Sequence, residues 1–207
     1  MEIKKLANNI LNFGINRFIE IFGISIVAIG VLLLISFVSF SPDDPNFIFP
    51  DTTKIKNLLG YRGSFSADLF FQSFGLIALL IPFSLIFAGT NIILNKKIFL
   101  IIESNFFTIL YLLFGSLFFS NFYAESFELY INGNGGFIGN YLGTTFLNSI
   151  INLNLQVAYY LLVLLIISLF LISIQFKISF FYKIIKKIFK FLFIKKEKNY
   201  TNKNEII

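Results

Sequence analysis

Four long stretches without a single charged side chain constrain this chain more than anything else in it. They run at about 21–40, 69–95, 105–124 and 155–176, and no Asp, Glu, Lys or Arg lies inside any of them. A helix rises about 1.5 Å per residue, so roughly 20 apolar residues cross the ~30 Å hydrocarbon core of a bilayer. Hydrophobic residues make up 57% of the chain, above the ~45–50% apolar content usual for soluble domains. Their clustering into separate runs predicts membrane spans rather than one large core. The fold class that follows is all-α and integral to the membrane, with four transmembrane helices and amphipathic interfacial helices at both ends. The first run exceeds the ~7–15 residue apolar core of a secretory signal, and no A-x-A-like site follows it. It therefore reads as a span.

The segments between and beyond the runs divide by chemistry. Residues 1–20 place Ile3, Leu6, Ala7, Ile10, Leu11, Gly14 and Phe18 on one helical face, with Lys4, Lys5, Asn8, Asn12 and Arg17 mostly on the other. Such a helix lies on a membrane surface or extends the first span, and the pattern suits both. Residues 177–196 give a second amphipathic pattern. Phe181, Ile184, Ile185, Ile188 and Leu192 form its apolar face, and Lys183, Lys186, Lys187 and Lys190 its basic one. That face suits anionic lipid head groups better than nucleic acid, because apolar residues interleave at helical spacing. Residues 197–207 are polar and predict a disordered tail or the start of a linker.

Charge orients the spans. Lys and Arg number three in the first 20 residues, two in the 95–104 turn and nine from Lys177 onward. The 41–68 loop carries three and the 125–152 loop none. The excess of basic residues marks the cytoplasmic side, so both termini are expected there and the two longer loops outside. The bilayer is the first partner this implies.

Few residues suggest chemistry. With no Cys and no His, disulfides, Cys/His zinc sites and Ser-His or Cys-His catalysis are excluded. Gly133-Asn134-Gly135-Gly136-Phe137-Ile138-Gly139 looks like a nucleotide loop, but Ile138 stands where the third glycine of G-x-G-x-x-G belongs and no Gly-Lys-Ser/Thr follows. It reads as a flexible turn before a short helix over 137–153. Asp43-Asp44 could bind a cation weakly; between Pro42 and Pro45 it reads better as a turn. Gly75, Pro82 and Gly89 recur every seven residues, sharing a face where a neighbouring helix can approach closely, and Pro82 is the expected kink point. Ser84, Thr90, Asn91, Thr108 and Ser168 read as bonds between helices.

The polar segments carry a resemblance. Ser39-Phe40-Ser41-Pro42-Asp43-Asp44-Pro45 follows the first span. Asn57-Leu58-Leu59-Gly60-Tyr61-Arg62-Gly63 and Ala67-Asp68-Leu69-Phe70-Phe71-Gln72-Ser73-Phe74-Gly75 lead into the second, and Gly135-Gly136-Phe137-Ile138-Gly139 precedes the fourth. In this order they resemble the N-terminal four-helix membrane domain of FtsK-type bacterial DNA translocases (the FtsK/SpoIIIE family), over residues 20 to 176. The resemblance implies a membrane anchor in the inner membrane at the division septum, self-associating and contacting other division proteins. It would tether a cytoplasmic motor that pumps DNA for chromosome segregation. The residues it singles out are structural: Pro42, Asp43, Asp44 and Pro45; Gly60, Gly63 and Asp68; Gly75 and Pro82; Gly135, Gly136 and Gly139. This chain has no Walker motifs and no DNA-reading domain. No enzymatic activity and no cofactor are therefore expected of it; ATP, Mg and DNA would belong to a motor domain absent here. An excised domain, a truncated sequence and a separately encoded anchor all fit. Two rivals are a small four-helix transporter or channel, which requires a polar path, and a membrane enzyme using Asp43, Asp44 and Asp51.

Overall fold

The computed structural model describes residues 2–45, 54–124 and 132–176, together with Lys186. Its elements are α1 (Glu2–Val38), α2 (Gly60–Phe74), a 3₁₀ helix (Gly75–Leu80), α3 (Ile81–Asn95), α4 (Leu100–Phe122), α5 (Gly136–Gly143), α6 (Phe146–Leu153) and α7 (Leu155–Ser173). Among the described residues, four helical stretches are long and apolar enough to cross a membrane: Asn8–Val38, Gly60–Asn95, Leu100–Phe122 and Leu155–Ser173.

Residues 2–20 and the first span form one uninterrupted helix. Of the two arrangements open to the N-terminal segment, the structure adopts the continuous one. At 37 residues, α1 is about 55 Å long, well beyond one hydrocarbon thickness. The second span is three pieces end to end, broken at Gly75–Leu80 rather than at Pro82 alone. Pro82 stands in the first turn of α3, where its missing N–H costs no helical bond. Lys96, with φ 55°, ends α3 in the left-handed conformation and returns its N–H to Ile92. α4 starts at Leu100, ahead of the expected Asn105, because Leu100-Ile101-Ile102 is apolar and Glu103 in the first turn suits a helix N-terminus. In place of one helix over 137–153 there are two, separated at Thr144–Thr145. The Thr145 hydroxyl accepts from Leu147 N–H and starts α6 afresh.

Burial is inverted relative to a water-soluble bundle. Ile21, Ile24 and Leu32 of α1 and Leu161, Leu164 and Ile167 of α7 are all at least half exposed, as side chains facing acyl chains should be. The main core lies where α2, the 3₁₀ segment, α4 and α7 meet, around Phe71, Ile77, Tyr111, Phe118 and Ile166.

α1 and α3 meet through small residues. A Cβ placed on Gly23 would lie 3.0 Å from Gly89 O, and one on Gly89 2.7 Å from Gly23 O. Seven residues on, a Cβ on Gly30 would lie 3.0 Å from Pro82 O. The pairs run antiparallel, and each glycine removes a side chain that would hold the backbones apart. Gly14, by contrast, faces open space. Gly89→Val should therefore destabilise the protein by about 1–3 kcal/mol, as overpacking does, whereas Gly14→Val should leave it nearly unchanged. Thermal unfolding of the two variants in detergent, followed by circular dichroism, checks this.

Candidate functional site

The residues marked by the sequence gather in two places at one end of the bundle. The first joins the turn after α1 to the start of α2. Asp44 is buried, and its two carboxylate oxygens accept the backbone N–H groups of Lys56 and Asn57, each at 2.8 Å. Asn57, also buried, donates its side-chain amide to Ser36 O at 2.9 Å. Its Oδ1 accepts from Leu59 N–H at 3.1 Å. Ser36 Oγ donates to Gly63 O at 2.6 Å, and Ser64 Oγ to Pro45 O at 2.9 Å. A side chain at Gly63 would collide with Asn57. Pro42, Asp43, Asp44, Pro45, Gly60 and Gly63 thus belong to one hydrogen-bonded knot. Pro42 and Asp43 form its exposed lip and Gly60 opens α2. Asp43 pairs with Lys56 Nζ at 2.7 Å and raises the ammonium above its ordinary 10.5. At the high-pH limit the pair opens as the ammonium loses its proton, which occurs only above its ordinary value, so the lysine side of the pair stays charged through neutral pH.

The second place seats the segment before the fourth span against the break in the second. Gly75 has φ 72° and ψ −151°, a conformation open essentially to glycine. Its neighbour Leu76 donates its N–H to Asn134 O at 2.9 Å. Gly136, at φ 65°, lies against the Gly75 backbone, and Gly135 and Gly139 press on α4 at Ser116 and Ser120. Asn134 is fully buried and donates its side-chain amide to Tyr123 O. Asn132 donates to Gln72 O and Oε1, and Gln72 in turn donates to the buried Asp68 at 3.4 Å. The glycine-rich segment is therefore wedged between helices. It offers no lysine, and two of its glycines lie flush on α4, so it does not fit a phosphate.

Pro82 belongs to neither knot; it meets α1 inside the bundle. Ser84 is bonded to Tyr111 and Ser173, at 3.0 and 2.9 Å, and Ser173 to Thr108 at 3.2 Å. These hydroxyls bond one another across α3, α4 and α7, as interhelical contacts do. Thr90 and Ser168 instead bond carbonyls within their own helices. At the opposite end of the bundle Asn91 donates to Ile174 O, Gln175 to Leu100 O, and Glu20 pairs with Arg17 and Lys96. Among the described residues no group of three or more acidic side chains could hold a metal. Asp51, Lys183, Lys187 and Lys190 lie outside the described residues; Lys186 is helical and exposed.

Sequence reasoning passed over Ser36, Ser116 and the Gly23/Gly30 pair, and it gave no role to Asn57 and Asn134 within the motifs that contain them. Only the glycines left a usable signal, a spacing of seven that matches Pro82 and Gly89.

These features define a multi-pass α-helical membrane domain whose polar residues fasten loops to helices. Residues 16–188 match the family model of the 4TM region of DNA translocase FtsK/SpoIIIE, and the chain belongs to that family. It is 34% identical over 82 residues to the DNA translocase FtsK of Rickettsia bellii (strain RML369-C), a stretch covering 38% of this chain and 11% of that protein. It is 36% identical over 63 residues to the DNA translocase FtsK of Rickettsia typhi (strain ATCC VR-144 / Wilmington), covering 30% and 8%. The matched stretches thus span about a tenth of these relatives. No solved structure matches the chain.

The first knot separates two carboxylates that are adjacent in sequence. Asp44→Ala leaves two backbone N–H groups without their acceptor and should destabilise the protein by about 2–4 kcal/mol. Asp43→Ala, at the exposed lip, should leave the unfolding transition within error of the parent. Denaturant titration in mixed micelles distinguishes them.

Proposed function

We propose that this chain is the membrane anchor of a cell-division DNA translocase. It tethers a cytoplasmic DNA-pumping ATPase motor at the division septum, where the motor serves chromosome segregation. The carrying observation is membership of the 4TM family across residues 16–188. On this reading the chain itself performs no catalysis, and ATP, Mg and DNA engage the motor alone. Self-association and contacts with other division proteins complete the assembly.

Two features support the orientation. The contacts Glu20–Lys96 and Gln175–Leu100 bring the inner ends of all four spans to one end of the bundle. That end is also the one flanked by most of the Lys and Arg, which favours the cytoplasm of the inner membrane. The two knots then face outward and hold the loops that division partners would meet. In the transporter alternative the polar path would run through Ser84, Tyr111, Thr108 and Ser173, but these form a set of mutual bonds with no ionisable carboxylate or lysine in it.

Because the chain has no cysteine, topology can be read by single-cysteine labelling. Asp43→Cys and Asn140→Cys should react with an impermeant maleimide on spheroplasts, and Lys97→Cys only after lysis. The reverse pattern would invert the orientation and remove the tethering role. A fluorescent fusion should concentrate at midcell in dividing cells; uniform envelope labelling would leave a membrane domain without the septal role.

A further inference from the structure

Next to the first knot, a groove of about 350 Å³ opens between α1 and α2. Its floor is Ile29, Leu32 and Leu33 on α1, and its rim is Arg62 and Ser66 on α2. Ile29 and Leu32 are half exposed, so the floor faces bilayer rather than protein. The upper end is closed where Ser36 Oγ donates to Gly63 O at 2.6 Å. The floor begins nine residues before the end of α1 at Val38, which places it within about 14 Å of that helix end. This depth corresponds to one leaflet.

The rim supplies an exposed positive charge. Arg62 is exposed, and its guanidinium enters none of the ion pairs among the described residues. Beside it the exposed Tyr61 stacks on Phe65 with ring centroids 6.3 Å apart, an aromatic of the kind that marks the head-group level. The first turn of α2 has no side-chain cap, and its partial positive charge adds to that of Arg62. An apolar slot in one leaflet beneath an exposed guanidinium at head-group level is complementary to a single type of bilayer component.

We propose that this groove binds one anionic phospholipid, its phosphate on Arg62 and the upper part of an acyl chain along Ile29, Leu32 and Leu33. A guanidinium presents paired donors that match phosphate oxygens, and the groove excludes water from the chain beneath. The site rests on the membrane spans alone and stands independently of the translocase role.

Native mass spectrometry of the purified full chain, titrated with phosphatidylglycerol and phosphatidylcholine of identical acyl chains, tests it. The parent should retain phosphatidylglycerol about tenfold more tightly, the value of one charge-assisted hydrogen bond. Arg62→Gln should abolish that preference, while Lys97→Gln, the same charge change at the other end, should preserve it. Arg62→Lys should restore part of the preference, which separates lost binding from lost folding. Leu32→Trp, filling the floor, should weaken both lipids with Arg62 intact. Soluble glycerol phosphate should fail to compete. An unchanged preference in Arg62→Gln, an equal loss in Lys97→Gln, displacement by glycerol phosphate, or a lipid-free dimer of the parent that Leu32→Trp disrupts would overturn the proposal, the last by making a second copy the occupant.

Discussion

The hydrocarbon interior has no water to satisfy a peptide group, and each unbonded N–H or C=O there costs several kcal/mol. Helix formation in the four apolar runs follows from that constraint. It does not decide which helix meets which, because a leucine is as content against an acyl chain as against another leucine. Pairing has to come from shape and from polar groups. In this protein α1 and α3 pair through Gly23 with Gly89 and Gly30 with Pro82, where the gain is close backbone contact. α4 and α7 pair differently, through Tyr111 with Phe170 and Phe118 with Tyr159, whose rings meet at 5.7 and 5.2 Å, and through the hydroxyls around Ser173. One pairing removes side chains and the other interlocks large ones.

The same constraint explains where irregular backbone occurs. Non-helical peptide groups are tolerated near a membrane only when protein covers them. The 3₁₀ segment Gly75–Leu80 satisfies this because Asn134 supplies the acceptor for Leu76 N–H and because Gly136 and Gly139 let the covering segment lie flush. In the turn after α1, Asp44 serves the N–H groups of Lys56 and Asn57, which belong to no helix. Both knots are thus devices for covering non-helical backbone, one at the end of the first span and one at the break within the second. Both use a short side chain, Asp or Asn, with enough polar atoms to serve several partners.

Legibility in the sequence divides along the range of the interaction. The spans were legible because apolar run length is local and bilayer thickness is fixed. The Ser41–Pro45 turn was legible as a turn, since Pro and Asp act on adjacent backbone. The 12- and 13-residue reach from Asp44 to Lys56 and Asn57 was not, because an Asp that bonds its own turn and one that bonds a distant strand of chain look alike. The break in the second span was assigned to Pro82, a residue whose effect is covalent. The structure begins it at Gly75, whose positive φ sits against Asn134 some sixty residues on. The Thr144–Thr145 interruption was hidden for the opposite reason: the apolar stripe from Ile138 to Ile150 runs across it unbroken, and a threonine cap is a weak signal beside a periodicity.

The tethering role proposed for this domain would also require it to carry load, and the polar contacts at the basic end bear on how. A force applied beyond Gln175 would fall first on α7, a helix of 19 residues with lipid on much of its surface. Alone, such a helix resists mainly through the cost of dragging its last polar turn into hydrocarbon. Here Gln175 donates to Leu100 O and Asn91 to Ile174 O, so the exit of α7 is bonded to the turn between α3 and α4. Lys96 in that turn is paired with Glu20 on α1. Load entering at Gln175 is therefore shared across all four spans within a few side chains of the bilayer surface. Each contact is individually modest, of the order of 1 kcal/mol, but they act in parallel at the point of exit. The arrangement is one that the proposed tethering role would use.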